Sequence, residues 1–238
     1  MKNDRLIKII VGEDSEQQAF HLQQTLFIKT SNVFAATTRN ENLGDGESGV
    51  YKFPKDPVAA WEILVYWIIK GLLPESKFEI PESKSEDTRK HEIAQLLLVQ
   101  CWVLGDKYDL KAFQDVIMLE LLHIIAGRSM TPESAAFATN NTAPGSKLRD
   151  LAANEIVYTV YEDCGREIVE YDSALAATGF ASEAMSVLDD YRSGEEAMDI
   201  DYVGEKDGKG RTESWREYMV DVEPHRHWVF NNDYEEDG

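Results

Sequence analysis

The chain has 238 residues, with 24 Lys and Arg against 44 Asp and Glu, a formal net charge of −20 with neutral histidines. That balance argues against direct contact with nucleic acid, because phosphate neutralisation needs clustered basic side chains and the sequence has none. With 43% apolar and 10% aromatic residues, it can bury a core of useful size, either one domain with an extension or two small domains. The longest apolar run, residues 63–69, is fenced by Glu62 and Lys70 and is far short of the ~20 residues that span a bilayer. No small-residue cleavage site follows the first apolar positions, so no secretory leader is expected. Cys101 and Cys164 are 63 positions apart with no CxxC or Cys/His spacing, which reads as reduced thiols rather than a disulfide or a zinc site. The expected location is intracellular, cytoplasmic or nuclear.

In chain order, Ile7, Ile9 and Val11 alternate with Lys8 and Ile10 and stop at Gly12. A second run, Ala19-Phe-His-Leu22, lies at hairpin distance. Residues 39–49 read as a loop, and Val50-Tyr-Lys-Phe53 as a third strand. Asp56-Pro57 predicts an N-cap followed by proline at the first helical position, opening an apolar helix through Trp61, Leu64, Val65, Ile68 and Ile69 to Gly71. Residues 74–87 form a charged, Ser- and Pro-containing insertion. Beyond it, Ile93, Leu96, Leu97, Cys101 and Leu104 share one helical face, and Leu110, Phe113, Ile117, Leu121, Ile124 and Ile125 share another. The two are joined by Gly105-Asp-Lys-Tyr-Asp109. Thr131-Pro132-Glu133 is a helix start, with further helices expected near 146–161, 166–177 and 182–191. No internal repeat is present.

The order of these elements and their residues resemble a BTB/POZ domain over about residues 6–126. The pieces that carry the resemblance are Ile7-Lys-Ile-Ile-Val-Gly12, Ala19-Phe20 with Thr30-Ser31-Asn32-Val33-Phe34, and Asp56-Pro57 through Trp61 to Lys70-Gly71. The most specific is Leu104-Gly-Asp-Lys-Tyr-Asp-Leu110, similar to the family's turn between its last two core helices. Met130-Thr-Pro-Glu and Ala143-Pro-Gly-Ser-Lys-Leu-Arg-Asp-Leu151 further resemble the helical extension, here residues 127–191, of many uncharacterised fungal BTB-domain proteins. Two positions depart from the pattern: Gln23-Gln24 stands where many members have His-Lys, and the 74–87 loop is longer than usual. The resemblance implies an α+β fold, a small sheet packed against helical hairpins and followed by an α-helical extension. It also implies a protein-interaction role, either self-association as a homodimer or the binding of a protein such as a cullin in a ubiquitin-ligase adaptor. It implies no cofactor.

Catalytic and metal constellations leave spacing signatures, and none is found here. The glycines of 44–49 lack a lysine, and 204–211 has Gly210 where a phosphate loop needs Ser or Thr after its lysine. His225 and His227 flank Arg226 without nearby Cys and read as a polar surface pair rather than metal ligands. His21 and His123 read as structural or surface residues, and Cys101 as a small buried hydrophobe. Asn140-Asn141-Thr142 matches a glycosylation sequon without a secretory context. Trp61, Trp67 and Tyr108 are expected in the core. Trp102 is expected there as well, with the alternative that, next to Cys101, it points away from that face and marks a contact surface.

Residues 189–238 hold 16 acids and 6 bases against 28 and 18 in residues 1–188, so half of the net charge lies in the last fifth of the chain. Residues 192–238 are expected to form an acidic, largely disordered tail, whose first half, through Arg211, lacks apolar periodicity. Within this acidic tail, residues 215–230 turn aromatic. Trp215, Tyr218, Trp228 and Phe230 either anchor a linear motif that folds on another protein or dock back on the chain's own helical domain.

Overall fold

The computed structural model describes residues 4–39, 49–78, 87–126, 129–161, 167–193 and 214–221. Strand β1 (Leu6–Val11) lies between antiparallel β2 (Gln18–Gln23) and parallel β3 (Val50–Phe53). The registers run Ile7↔Leu22, Ile9↔Phe20 and Ile9↔Tyr51. The alternation in β1 is the reason for this arrangement: Ile7, Ile9 and Val11 are buried on one face while Leu6 and Lys8 face outward. Three short strands with one apolar face need a helical cover. It comes from α1 (Gln24–Thr30), α2 (Asn32–Arg39) and α3 (Val58–Lys70), whose Phe27, Phe34 and Trp61 are fully buried. The rings of Phe27 and Phe34 stack at 4.2 Å.

Helices α4 (Asp87–Lys107) and α5 (Lys111–Ile125) form the expected hairpin, although α4 takes in the first three residues of the segment read as its linker. It ends in a Schellman turn, with Asp109 N–H donating to Asp106 and Leu110 N–H donating to Gly105. Asp109 carries the left-handed position that this turn requires, at φ 52°. Glycine adopts that conformation without a Cβ penalty. Asp109→Gly is therefore expected to stabilise the chain by roughly 0.5–1 kcal/mol, read as a higher melting temperature.

The second half is helical: α6 (Pro132–Asn141), α7 (Lys147–Tyr161), α8 (Asp172–Leu175) and α9 (Phe180–Ser193). Thr131 caps α6 by accepting the Ser134 N–H, as the Thr-Pro-Glu start predicts. The helix expected over 166–177 is instead a 3-10 turn at Ile168–Tyr171 followed by the single-turn α8. Glu167 and Glu170 close a reciprocal capping box around that 3-10 turn, and the segment leaves Ile168 and Val169 exposed, without an apolar stripe to extend a helix.

The two halves share one core, because α6 packs on α4. Their junction is fixed by polar side chains buried on α4. Gln95 donates to the Ser129 carbonyl (3.0 Å) and accepts the Thr131 N–H (2.9 Å), and His91 bonds the Ile124 carbonyl at 2.7 Å. Among the described residues no helix is long and apolar enough to cross a membrane.

Candidate interaction surfaces

Three segments that are far apart in the sequence meet at Tyr108. Asp56 is buried just before α3. Its Oδ2 accepts the Trp61 indole N–H (2.9 Å) and the Tyr108 hydroxyl, and its Oδ1 accepts from Lys107 Nζ. Burial first, and then the Asp56 carboxylate, push the Tyr108 hydroxyl up from its ordinary range, so it stays a donor. From the other side Ser31 donates to the Tyr108 carbonyl while its Oγ accepts the N–H groups of Val33 (2.9 Å) and Phe34 (3.3 Å), capping α2. Asp56 is thus not the cap of α3. Pro57 takes that place in an extended conformation, and the carboxylate reaches inward to the indole.

A second node lies in the helical half, where Arg149 on α7 is 1% exposed. Its guanidinium donates to Glu183 (2.8 Å) and to the carbonyls of Thr139 (2.7 Å) and Thr178 (2.9 Å), tying α6, α7 and the start of α9 together. Beside it, a cavity of about 340 Å³ opens between α7 and α9, lined by Asp150, Glu183, Asp190 and Tyr191 among others. Burial raises the Asp150 pKa, Lys147 opposes this and Glu183 adds to it. A carboxyl raised in the folded state binds its proton more tightly there than in the unfolded chain. Ionised Asp150 therefore subtracts stability above the ordinary carboxylate range, and the loss is recovered as pH falls through that range. Asp150→Asn is expected to melt higher than the parent at neutral pH, with the difference shrinking as thermal scans move to acid pH.

The tail aromatics divide. Trp215, Tyr218 and Met219 are 3%, 7% and 4% exposed, packed through a 3-10 turn (Ser214–Tyr218) on α5 and α7. Trp215 and Tyr218 thus pack on the chain's own helices. Trp228 and Phe230 lie outside the described residues, as does most of the tail expected to be disordered from residue 192; Arg192 and Ser193 instead complete the last turn of α9, and residues 214–221 pack on the body. Asp115 on α5 holds the end of the turn, its carboxylate accepting the N–H groups of Val220 (2.6 Å) and Asp221 (3.1 Å). Sequence reasoning passed over Asp115, yet a signal existed: it is in phase with Met118, Leu122 and Ile125, all buried, and an acid on an apolar stripe needs a partner.

Cys101 is fully buried, and burial pushes its thiol up, away from the reactive thiolate. Trp102 is 1% exposed, in the core with Trp61 and Tyr108 and not at a contact surface; the stripe on α4 is centred on His91, Gln95, Leu98 and Trp102. Ile93, expected on that stripe, is 58% exposed for the same reason. His21 and His123 lie on the surface, and Cys164, His225 and His227 fall outside the described residues. Among the described residues no group of three or more His, Cys, Asp or Glu could hold a metal ion.

The exposed apolar residues that helical spacing brings together are Tyr66 and Ile69 on α3, with Leu72 just past its end. Gly71 stops the helix there, its N–H donating to the Trp67 carbonyl at 2.7 Å from a left-handed conformation. Ile69, part of the expected apolar helix, is 54% exposed, because the buried side of α3 is taken by Ala60, Trp61, Ile63 and Leu64. No protein-family model matches the chain, and no curated protein matches it.

Proposed function

We propose that the chain is a non-catalytic protein-interaction module, with residues 6–126 acting as a BTB/POZ-like domain that associates with a second copy or another protein and residues 127–191 as its helical extension. The observation that supports this reading is the node at Tyr108. The most specific pieces of the resemblance, around Ser31, Asp56-Pro57 with Trp61, and Lys107-Tyr108, are bonded to one another in the fold. Residues that carry the family-like spacing thus meet at one place in the fold. The exposed Tyr66, Ile69 and Leu72 supply an apolar contact area of the kind a partner covers.

Light scattering after size-exclusion chromatography of the full chain tests the proposal over roughly the micromolar range in which weak dimers separate. A mass of twice 27.0 kDa is the expected result for self-association. A monomer that gains mass with a purified cullin supports hetero-association in an adaptor role. A concentration-independent monomer with no cullin binding and no partner recovered by crosslinking overturns it.

A further inference from the structure

In β1 the residues that alternate with the buried Ile7, Ile9 and Val11 are Leu6, Lys8 and Ile10, and they point away from the covering helices. In register with them stand Gln23, His21 and Ala19 on β2, and Val50 and Lys52 on β3. All are exposed or half-exposed, Leu6 at 62%. This outer face carries no Asp or Glu, although the chain has 44 of them against 24 Lys and Arg. The acids of the 3-10 turn between β1 and β2, Asp14 and Glu16, fall beyond the ends of both strands. Lys8, His21 and Lys52 take part in no side-chain hydrogen bond or ion pair among the described residues. A merely solvated face accounts for neither feature. Polar-out alternation does not place Leu and Ile on the centre strand, and lysines that guard a sheet do so on its edges, whereas Lys8 is on β1, which is paired on both sides.

Two unpaired ammonium groups set among Leu6, Ile10 and Val50 complement a layer that is apolar along its middle and acidic along its flanks. Six residues of strand span about 20 Å, and three strands are about 10 Å across, the footprint of one α-helix of about 13 residues. We propose that the outer face of the sheet docks an acidic amphipathic helix of another protein. Its apolar stripe lies on Leu6, Ile10 and Val50, and its Asp or Glu side chains meet Lys8 and Lys52. The same face of a second copy is a poor occupant, since like charges would meet across the two-fold axis. Another part of a second copy's acidic surface would make a head-to-tail contact that propagates into open assemblies. The chain's own described tail turn is committed elsewhere, on α5 and α7. This goes beyond the BTB-like reading and rests only on the registers, exposure and charge of the sheet.

The probe is a fluorescein-labelled helical peptide of about 14 residues, with Leu at i, i+3, i+4 and i+7 and Glu on both flanks. Titrated with the full chain and followed by anisotropy, it is expected to bind with a Kd of roughly micromolar order, and its counterpart with Lys in place of Glu is expected not to bind. Lys8→Glu/Lys52→Glu is expected to weaken binding at least about tenfold, and Leu6→Ser to weaken it as well, while Lys90→Glu, an exposed change on α4, leaves it unchanged. No binding up to about 1 mM, an equal loss in Lys90→Glu, or indifference to Leu6→Ser overturns the proposal. Should the charge-reversed variant lose its cooperative melt, Lys8→Gln/Lys52→Gln takes its place with the same direction expected. Three further outcomes also overturn the partner helix. A dimer that the charge reversal abolishes assigns the face to a second copy. Peptide binding at least about tenfold tighter after deletion of residues 222–238 assigns it to the chain's own end. Capture of phosphatidylserine vesicles through Lys8 and Lys52, with no peptide binding, assigns it to an anionic membrane.

Discussion

Replacing Asp56 by alanine is expected to remove about 3 kcal/mol of folding free energy, read as a lower urea midpoint at unchanged slope. The carboxylate is buried and serves three donors: the Trp61 indole, the Tyr108 hydroxyl and the Lys107 ammonium. Without it the indole and the hydroxyl are left in a pocket walled by the rings of Phe34 and Phe53, where unmet donors are costly. The partners rank by burial. Tyr108→Phe is expected to cost about 1–2 kcal/mol, because one bond is lost and the carboxylate keeps two. Lys107→Ala is expected to cost under about 1 kcal/mol, because the Lys107 side chain is half in solvent, at 51% exposure. A double-mutant cycle between Asp56 and Tyr108 separates the bond from general disruption, since only a direct contact leaves a coupling energy. The inverse ranking, with Lys107 dominant, would mean that a surface ion pair rather than the buried bonds joins α3 to the end of α4.

Arg149→Met is expected to be comparably severe, about 3–4 kcal/mol, even though methionine fills much of the same volume. The change strips donors from two backbone carbonyls and from Glu183, which is itself mostly buried. Arg149→Lys is expected to recover little. A single ammonium cannot reach three acceptors that the planar guanidinium meets at 2.7–2.9 Å, and the cation over the Phe180 ring, 5.2 Å away, is displaced as well. Glu183→Gln, which keeps an acceptor at that position, is the milder control. Thermal or urea unfolding of the three variants gives the order Met and Lys far below the parent and Gln close to it.

Elements whose signal is local were legible in the sequence. The hairpin of β1 and β2, the third strand at Val50–Phe53, the buried face of α5 and the Thr131 start of α6 all follow from alternation, helical spacing or capping chemistry. What eluded it are places where a polar residue occupies a core position. His91 and Gln95 interrupt the apolar stripe of α4, so the visible leucines pointed to a face rotated away from the true one, and Ile93 was misassigned. Arg149, in phase with Ala152, Ala153 and Ile156, was hidden in the same way. Such residues are buried because distant carbonyls and N–H groups satisfy them, and those partners are 10 to 36 positions away, beyond any local window. The tail shows the same limit: Trp215 and Tyr218 stood out as aromatic anchors, whereas the carboxylate that bonds the end of their turn, Asp115, lies about a hundred positions earlier.

That separation also orders events in time. The bond from Val220 to Asp115 spans 105 positions, so the loop entropy of closing it is met only when α5 and α7 already stand as a pair of walls. The turn is then absent from the folding transition state, and weakening it leaves the refolding rate unchanged while unfolding accelerates. In a chevron plot of Trp215→Ala the whole loss falls on the unfolding arm. The last segment to settle, a single five-residue turn, is therefore the first to leave.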